Sequence, residues 1–105
     1  MSEISIETLQ SWRSKKRAMQ IVDIREIQEF QLGNLGGDHI PMAECLRRHK
    51  EIRRDIPVVV HCRTGRRSEA VVSALAEKHG FENLRNLAGG IMAWTLAVDP
   101  SIQVE

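Results

Sequence analysis

Pro57-Val58-Val59-Val60-His61-Cys62-Arg63-Thr64-Gly65-Arg66-Arg67-Ser68 is the stretch on which the reading of this chain turns. Its first part is short, β-branched and opened by a proline, the pattern of a buried strand. From Ser68 to His79, Ala70, Val71, Ala74 and Leu75 recur at helical spacing, and Gly80 closes the run. The polar turn between the two holds a cysteine, a glycine and three arginines. In an open α/β sheet, ligands gather beyond the carboxyl ends of the strands, and that is where Cys62 stands.

On either side of this stretch the chain alternates strand and helix signals. Ser5 caps a helix predicted over about 6–17, with Ile6, Leu9 and Trp12 on one face. Met19 to Ile24 is a short buried strand, and Glu26 to Leu32 a helix with Ile27 and Phe30 inward and Gly33 as its stop. A glycine-rich loop follows over 33–38, then a basic helix from Met42 to Lys50. Leu84 to Leu87 makes a last strand, and Ile91 and Trp94 one side of a last helix. Such alternation predicts an α/β fold, a mostly parallel central sheet with helices on both faces. With 105 residues and 42% hydrophobic side chains, one domain over 1–105 is expected.

Several classes fall away on composition. No apolar run approaches the roughly 18 residues of a membrane span, and Met1-Ser2-Glu3-Ile4-Ser5 has neither the basic nor the apolar region of a secretory signal. Cys45 and Cys62 form no CxxC, so neither a disulfide scaffold nor a redox pair is indicated. A cytoplasmic, soluble, monomeric chain without a cofactor is the expectation. The net charge of +1 hides an asymmetry, because residues 46–67 hold eight Lys/Arg against Glu51 and Asp55. From Arg47 to Arg54 the pattern fits a solvated helix face, and the strip from Arg47 to Arg67 suits the docking of an acidic carrier protein. Nucleic acid is disfavoured, because base stacking needs aromatics and none of Trp12, Phe30, Phe81 and Trp94 lies within the basic stretch.

The turn itself suggests chemistry. Gly65 lets successive N–H groups curl inward as an anion nest, the following helix adds its positive end, and Arg63, Arg66 and Arg67 add charge. All three favour a thiolate at Cys62. At an ordinary pKa of about 8.5 only roughly 3% of a thiol is ionised at pH 7, whereas a pKa near 7 ionises half. Cys45 has no nest beside it and reads as structural. His61 is expected to point into the core and to orient the turn by hydrogen bonding. Arg25 is expected to pair with Glu29, four residues on, while Asp23 is left either structural or at the pocket border. Cys45, His49, His61 and Cys62 match no standard zinc spacing, so no metal is expected.

Val22-Asp23-Ile24-Arg25-Glu26, Glu29-Phe30, His39-Ile40-Pro41, the stretch 58–68 and Leu87-Ala88-Gly89-Gly90-Ile91-Met92-Ala93-Trp94 together resemble the rhodanese-like family in order and spacing. The resemblance covers about residues 4–98. Asn34-Leu35-Gly36-Gly37 before Ile40-Pro41, and Val98-Asp99-Pro100, look further like the rhodanese domain at the C-terminus of adenylyltransferases that activate sulfur carriers for molybdopterin and thiolated tRNA. Met42 departs from the family pattern, which has a small residue after that proline. The resemblance implies a sulfurtransferase in which Cys62 carries sulfur as a persulfide and Arg63, Thr64, Gly65, Arg66, Arg67 and Ser68 hold substrate. It implies a donor such as thiosulfate or the persulfide of a cysteine desulfurase, and a thiol or sulfur-carrier acceptor.

Two rival readings belong beside this one. A rhodanese-like module can serve binding or regulation alone, although such modules often lack the turn cysteine. Cysteine-dependent phosphatases and arsenate reductases place five residues between the nucleophile and an anion-clamping arginine. Here Ser68 occupies that position and Arg67 comes one place too early, so the nest encloses a smaller anion.

Overall fold

The computed structural model describes residues 2–105. Five strands, β1 (Glu3–Ile4), β2 (Gln20–Asp23), β3 (Asp38–His39), β4 (Val58–His61) and β5 (Leu84–Leu87), form one sheet in the order β1-β5-β4-β2-β3. Every pairing is parallel, so the sheet is wholly rather than mostly parallel. The helices are α1 (Ile6–Ser14), α2 (Ile27–Leu32), α3 (Arg66–His79) and α4 (Gly90–Ala97).

The continuous Val58-Val59-Val60 run makes sense because β4 is the central strand, buried on both faces. Side chains alternate across the sheet, so Val58 and Val60 join Val71, Val72, Leu75 and Leu84 beneath α3. Val59 faces the other way, into a cluster with Leu9 of α1, Leu87, and Ile91 and Trp94 of α4. Helices therefore cover both faces, as the alternation predicts. Each fully buried valine or leucine contributes about 1.5–3 kcal/mol.

Local differences from the sequence reading have physical causes. The expected helix over Met42–Lys50 is two 3₁₀ turns, Met42–Glu44 and His49–Glu51. Met42 and Leu46 are exposed and only Cys45 and Ile52 are buried there, so no apolar stripe holds a longer helix on the sheet. Helix α1 stops at Ser14 rather than 17, and Lys16 adopts φ 54° just beyond it. In α2, Ile27 is exposed and Phe30 half-buried against His39, with ring centroids 4.6 Å apart. Glu29 takes the inward side, and residues two apart on a helix point to roughly opposite sides. In α3 the buried face is Ser68, Val71, Val72 and Leu75, leaving Ala70 exposed.

Candidate active site

Cys62 follows directly on β4, and α3 begins four residues later. The tight passage depends on Gly65, which takes φ 103° as the residue capping α3. The turn wraps around the Cys62 sulfur. The Gly65 N–H donates to Sγ at 3.1 Å, the Ser68 N–H at 3.4 Å, and the Ser68 hydroxyl lies 3.3 Å away. On the outside, the first amides of α4 take the turn's carbonyls: Ile91 N–H donates to Cys62 O at 2.9 Å and Met92 N–H to Arg63 O at 3.0 Å. The Cys62 and Arg63 carbonyls thus face α4, and the Gly65 and Ser68 amides face the sulfur. This arrangement needs glycine at position 90, where a Cβ would stand 2.5 Å from Arg63 O and 2.7 Å from Cys62 O.

The two cysteines part company electrostatically. Burial pushes the Cys62 thiol up, but hydrogen bonds from the Ser68 hydroxyl and from the Ser68, Gly65 and Thr64 N–H groups outweigh it and hold the thiol below its ordinary value. Burial raises Cys45 to about 11, and its thiol donates to Ile40 O at 3.3 Å. Cys45 is structural, as its sequence setting suggests.

The arginines of the turn do not act as a group. Arg67 forms a two-pronged ion pair with Glu29 of α2, both contacts 2.9 Å, which lowers Glu29 to about 2. The Arg63 Nε donates to Glu105 O at 2.5 Å. Arg66 is exposed and, among the described residues, its side chain has neither a hydrogen bond nor an ion pair. The wider basic stretch is similarly divided: Arg47 and Arg48 pair with Glu44 and Glu51, Arg53 with Asp55, and Arg54 lies over the Phe81 ring. It is a set of local pairs, not the uniformly solvated helix face that the sequence suggested.

Arg25 also differs from expectation. It is fully buried and pairs with Asp23, at 2.7 Å from Nη2 to Oδ2, and donates to Gly33 O at 2.8 Å. Glu29 is already engaged by Arg67, and Asp23 is the nearer carboxylate. Asp23 therefore anchors Arg25 rather than bordering a pocket. His61 is buried as expected, with Nδ1 3.4 Å from Cys62 O and Nε2 facing Asp23 at 3.7 Å without a hydrogen bond. Among the described residues, no group of three His, Cys, Asp or Glu could hold a metal ion. Met42, Leu46, Ala70 and Ala74 line a shallow apolar groove beside α3. Sequence reasoning missed Asn86, a buried amide on β5 that reaches Ser68 and Gly65. A polar residue at an inward position of the Leu84–Leu87 strand was its available signal.

The same architecture and sequence pattern occur in known proteins. The rhodanese-like domain description matches residues 5–97. Protein YrkF of Bacillus subtilis is 32% identical over 94 residues, which are 89% of this chain and 50% of that protein. The adenylyltransferase and sulfurtransferase MOCS3 of Drosophila willistoni is 31% identical over 93 residues, 80% of this chain and 20% of that protein. The chain thus spans half or less of these two relatives. The crystal structure of thiosulfate sulfurtransferase from Pseudomonas aeruginosa superposes on all of this chain and 20% of its own, with a TM-score of 0.81 and 27% identity. With the cysteine turn, the parallel sheet and this match in agreement, the chain belongs to the rhodanese-like domain family.

Proposed function

We propose that this chain is a sulfurtransferase that carries sulfane sulfur as a persulfide on Cys62. The observation that carries the reading is the Cys62 sulfur held by the Gly65 and Ser68 N–H groups at the positive end of α3. The names of two relatives support it, one a thiosulfate sulfurtransferase and one an adenylyltransferase and sulfurtransferase. The name of YrkF, which sets it among sulfur carriers, agrees with a protein acceptor.

The thiolate attacks the outer sulfur of thiosulfate. The new S–S bond forms as the bond to the sulfonate sulfur breaks, and sulfite leaves with that electron pair. The first amides of an α-helix have no partner within the helix, so those of Arg66 and Arg67 face the anionic outer sulfur without losing a bond. A thiophilic acceptor then takes the outer sulfur and returns Cys62 to the thiolate; cyanide serves in the test tube, a thiol or a sulfur-carrier protein in the cell. Arg66, exposed at the turn, and the half-buried Arg63 attract an anionic donor, while Arg67 holds α2 against the turn. The persulfide of a cysteine desulfurase fits the same chemistry as donor.

Intact-mass spectrometry after thiosulfate and then cyanide tests this on the wild type and on Cys62→Ala. The expected result is a gain of one sulfur atom on the wild type, erased by cyanide and absent from Cys62→Ala. Failure of both thiosulfate and a desulfurase persulfide to load Cys62 would overturn the proposal in favour of a binding module.

A further inference from the structure

Asn86 stands where a side chain packs beneath α3, on the same face of β5 as Leu84, and it is 5% exposed. Burying an amide there is costly unless its polar atoms are satisfied. Both are. Its Nδ2 donates to Gly65 O at 3.1 Å, and its Oδ1 accepts from the Ser68 hydroxyl at 2.5 Å. The orientation of the amide is fixed, because Gly65 O can only accept and so must face the NH₂ group. One side chain thereby joins the first and last residues of the Gly65–Ser68 turn. These same two residues direct their N–H groups at Cys62 Sγ.

We infer that Asn86 is a positioning residue for Cys62, tying the Gly65 carbonyl to the Ser68 hydroxyl and so holding the donors that face Sγ. The inference rests on the reading of Cys62 as the sulfur nucleophile. Gly65 O already accepts from Glu69 N–H at 3.1 Å within α3, and Asn86 takes its remaining lone pair. The Ser68 hydroxyl has one proton, and the 2.5 Å bond to Asn86 Oδ1 takes the larger share of it, leaving the smaller share to Sγ at 3.3 Å. Asn86 therefore acts through the main chain of the turn, by fixing the two amides that face Sγ.

The test follows the rate of Cys62 alkylation by iodoacetamide against pH, for wild type, Asn86→Leu and Ser68→Ala, with thermal unfolding of each alongside. The expected result is an alkylation profile displaced upward by about one pH unit in Asn86→Leu, equivalent to roughly tenfold less thiolate near neutrality. Ser68→Ala should move it less. A profile unmoved or displaced downward in Asn86→Leu, whatever its thermal stability, would reduce Asn86 to a packing residue and overturn the inference. If Asn86→Leu does not fold, Asn86→Ala, which leaves space rather than filling it, takes its place under the same criteria. Alkylation does not require sulfur transfer, so a wild type that alkylates readily but never loads sulfur refutes the proposed function and leaves the Asn86 result standing.

Discussion

At the scale of single residues, the structure separates two thiols of one buried core by what surrounds them. Cys62 is held below its ordinary value by hydrogen bonds from the turn, and Cys45 is raised to about 11 by burial. Limiting iodoacetamide at pH 7 should modify Cys62 alone, with Cys45 reacting only after denaturation; peptide mapping reads this directly. His61 supplies a pH dependence of the opposite kind. Burial lowers it, with Asp23 raising it and Arg25 lowering it in turn. The unfolded chain therefore binds a proton at its ordinary value of about 6.5 before the folded chain does. The stability tied to neutral His61 is complete above that value and is lost as pH falls below it. Urea midpoints should decline between about pH 6.5 and 5 in the wild type, and less steeply in His61→Gln. Asp23→Asn leaves Arg25 buried beside a neutral amide, and the expected cost is about 3–5 kcal/mol by urea unfolding.

Between elements, the critical contacts run from helix ends to one turn. The start of α4 takes the carbonyls of Cys62 and Arg63, and only a residue without a Cβ fits at position 90. In Gly90→Ala the new methyl meets main chain rather than a flexible side chain, and the backbone there has φ 63°. A loss of more than about 1 kcal/mol is expected, together with loss of sulfur loading in the intact-mass experiment. On the other side, Glu29 of α2 holds Arg67. Glu29 is lowered to about 2 chiefly by the Arg67 hydrogen bonds, against some burial, so this contribution is present above about pH 4.5 and fades as pH falls toward 2. Glu29→Gln should cost about 1 kcal/mol, with the wild type and variant converging in stability at acid pH. None of these inter-element contacts was legible in the sequence. Composition and spacing describe a residue's own element, whereas Arg67–Glu29, Gly65–Asn86 and Gly90–Arg63 join positions far apart along the chain. Arg25 illustrates the reverse error: a plausible partner four residues along gave way to Asp23, because the turn after β2 folds back on itself.

Across the whole molecule, the parallel sheet and the position of Cys62 at its carboxyl end were readable from the valine run and the helix after it. That run has the length and β-branching of a doubly buried strand, and βα alternation admits few other topologies. The basic helix expected over Met42–Lys50 is instead two 3₁₀ turns, because the segment has only Cys45 and Ile52 to bury. The strand order has a consequence for how such a chain comes into being. β1 precedes the other four strands in the sequence, yet among the described residues it pairs with β5 alone, through Glu3 beside Asn86 and Ile4 beside Leu87. During synthesis the segment that forms β1 therefore waits, unpaired, until Leu84–Leu87 has left the ribosome. The central strands can associate earlier, and closure of that edge of the domain comes after them.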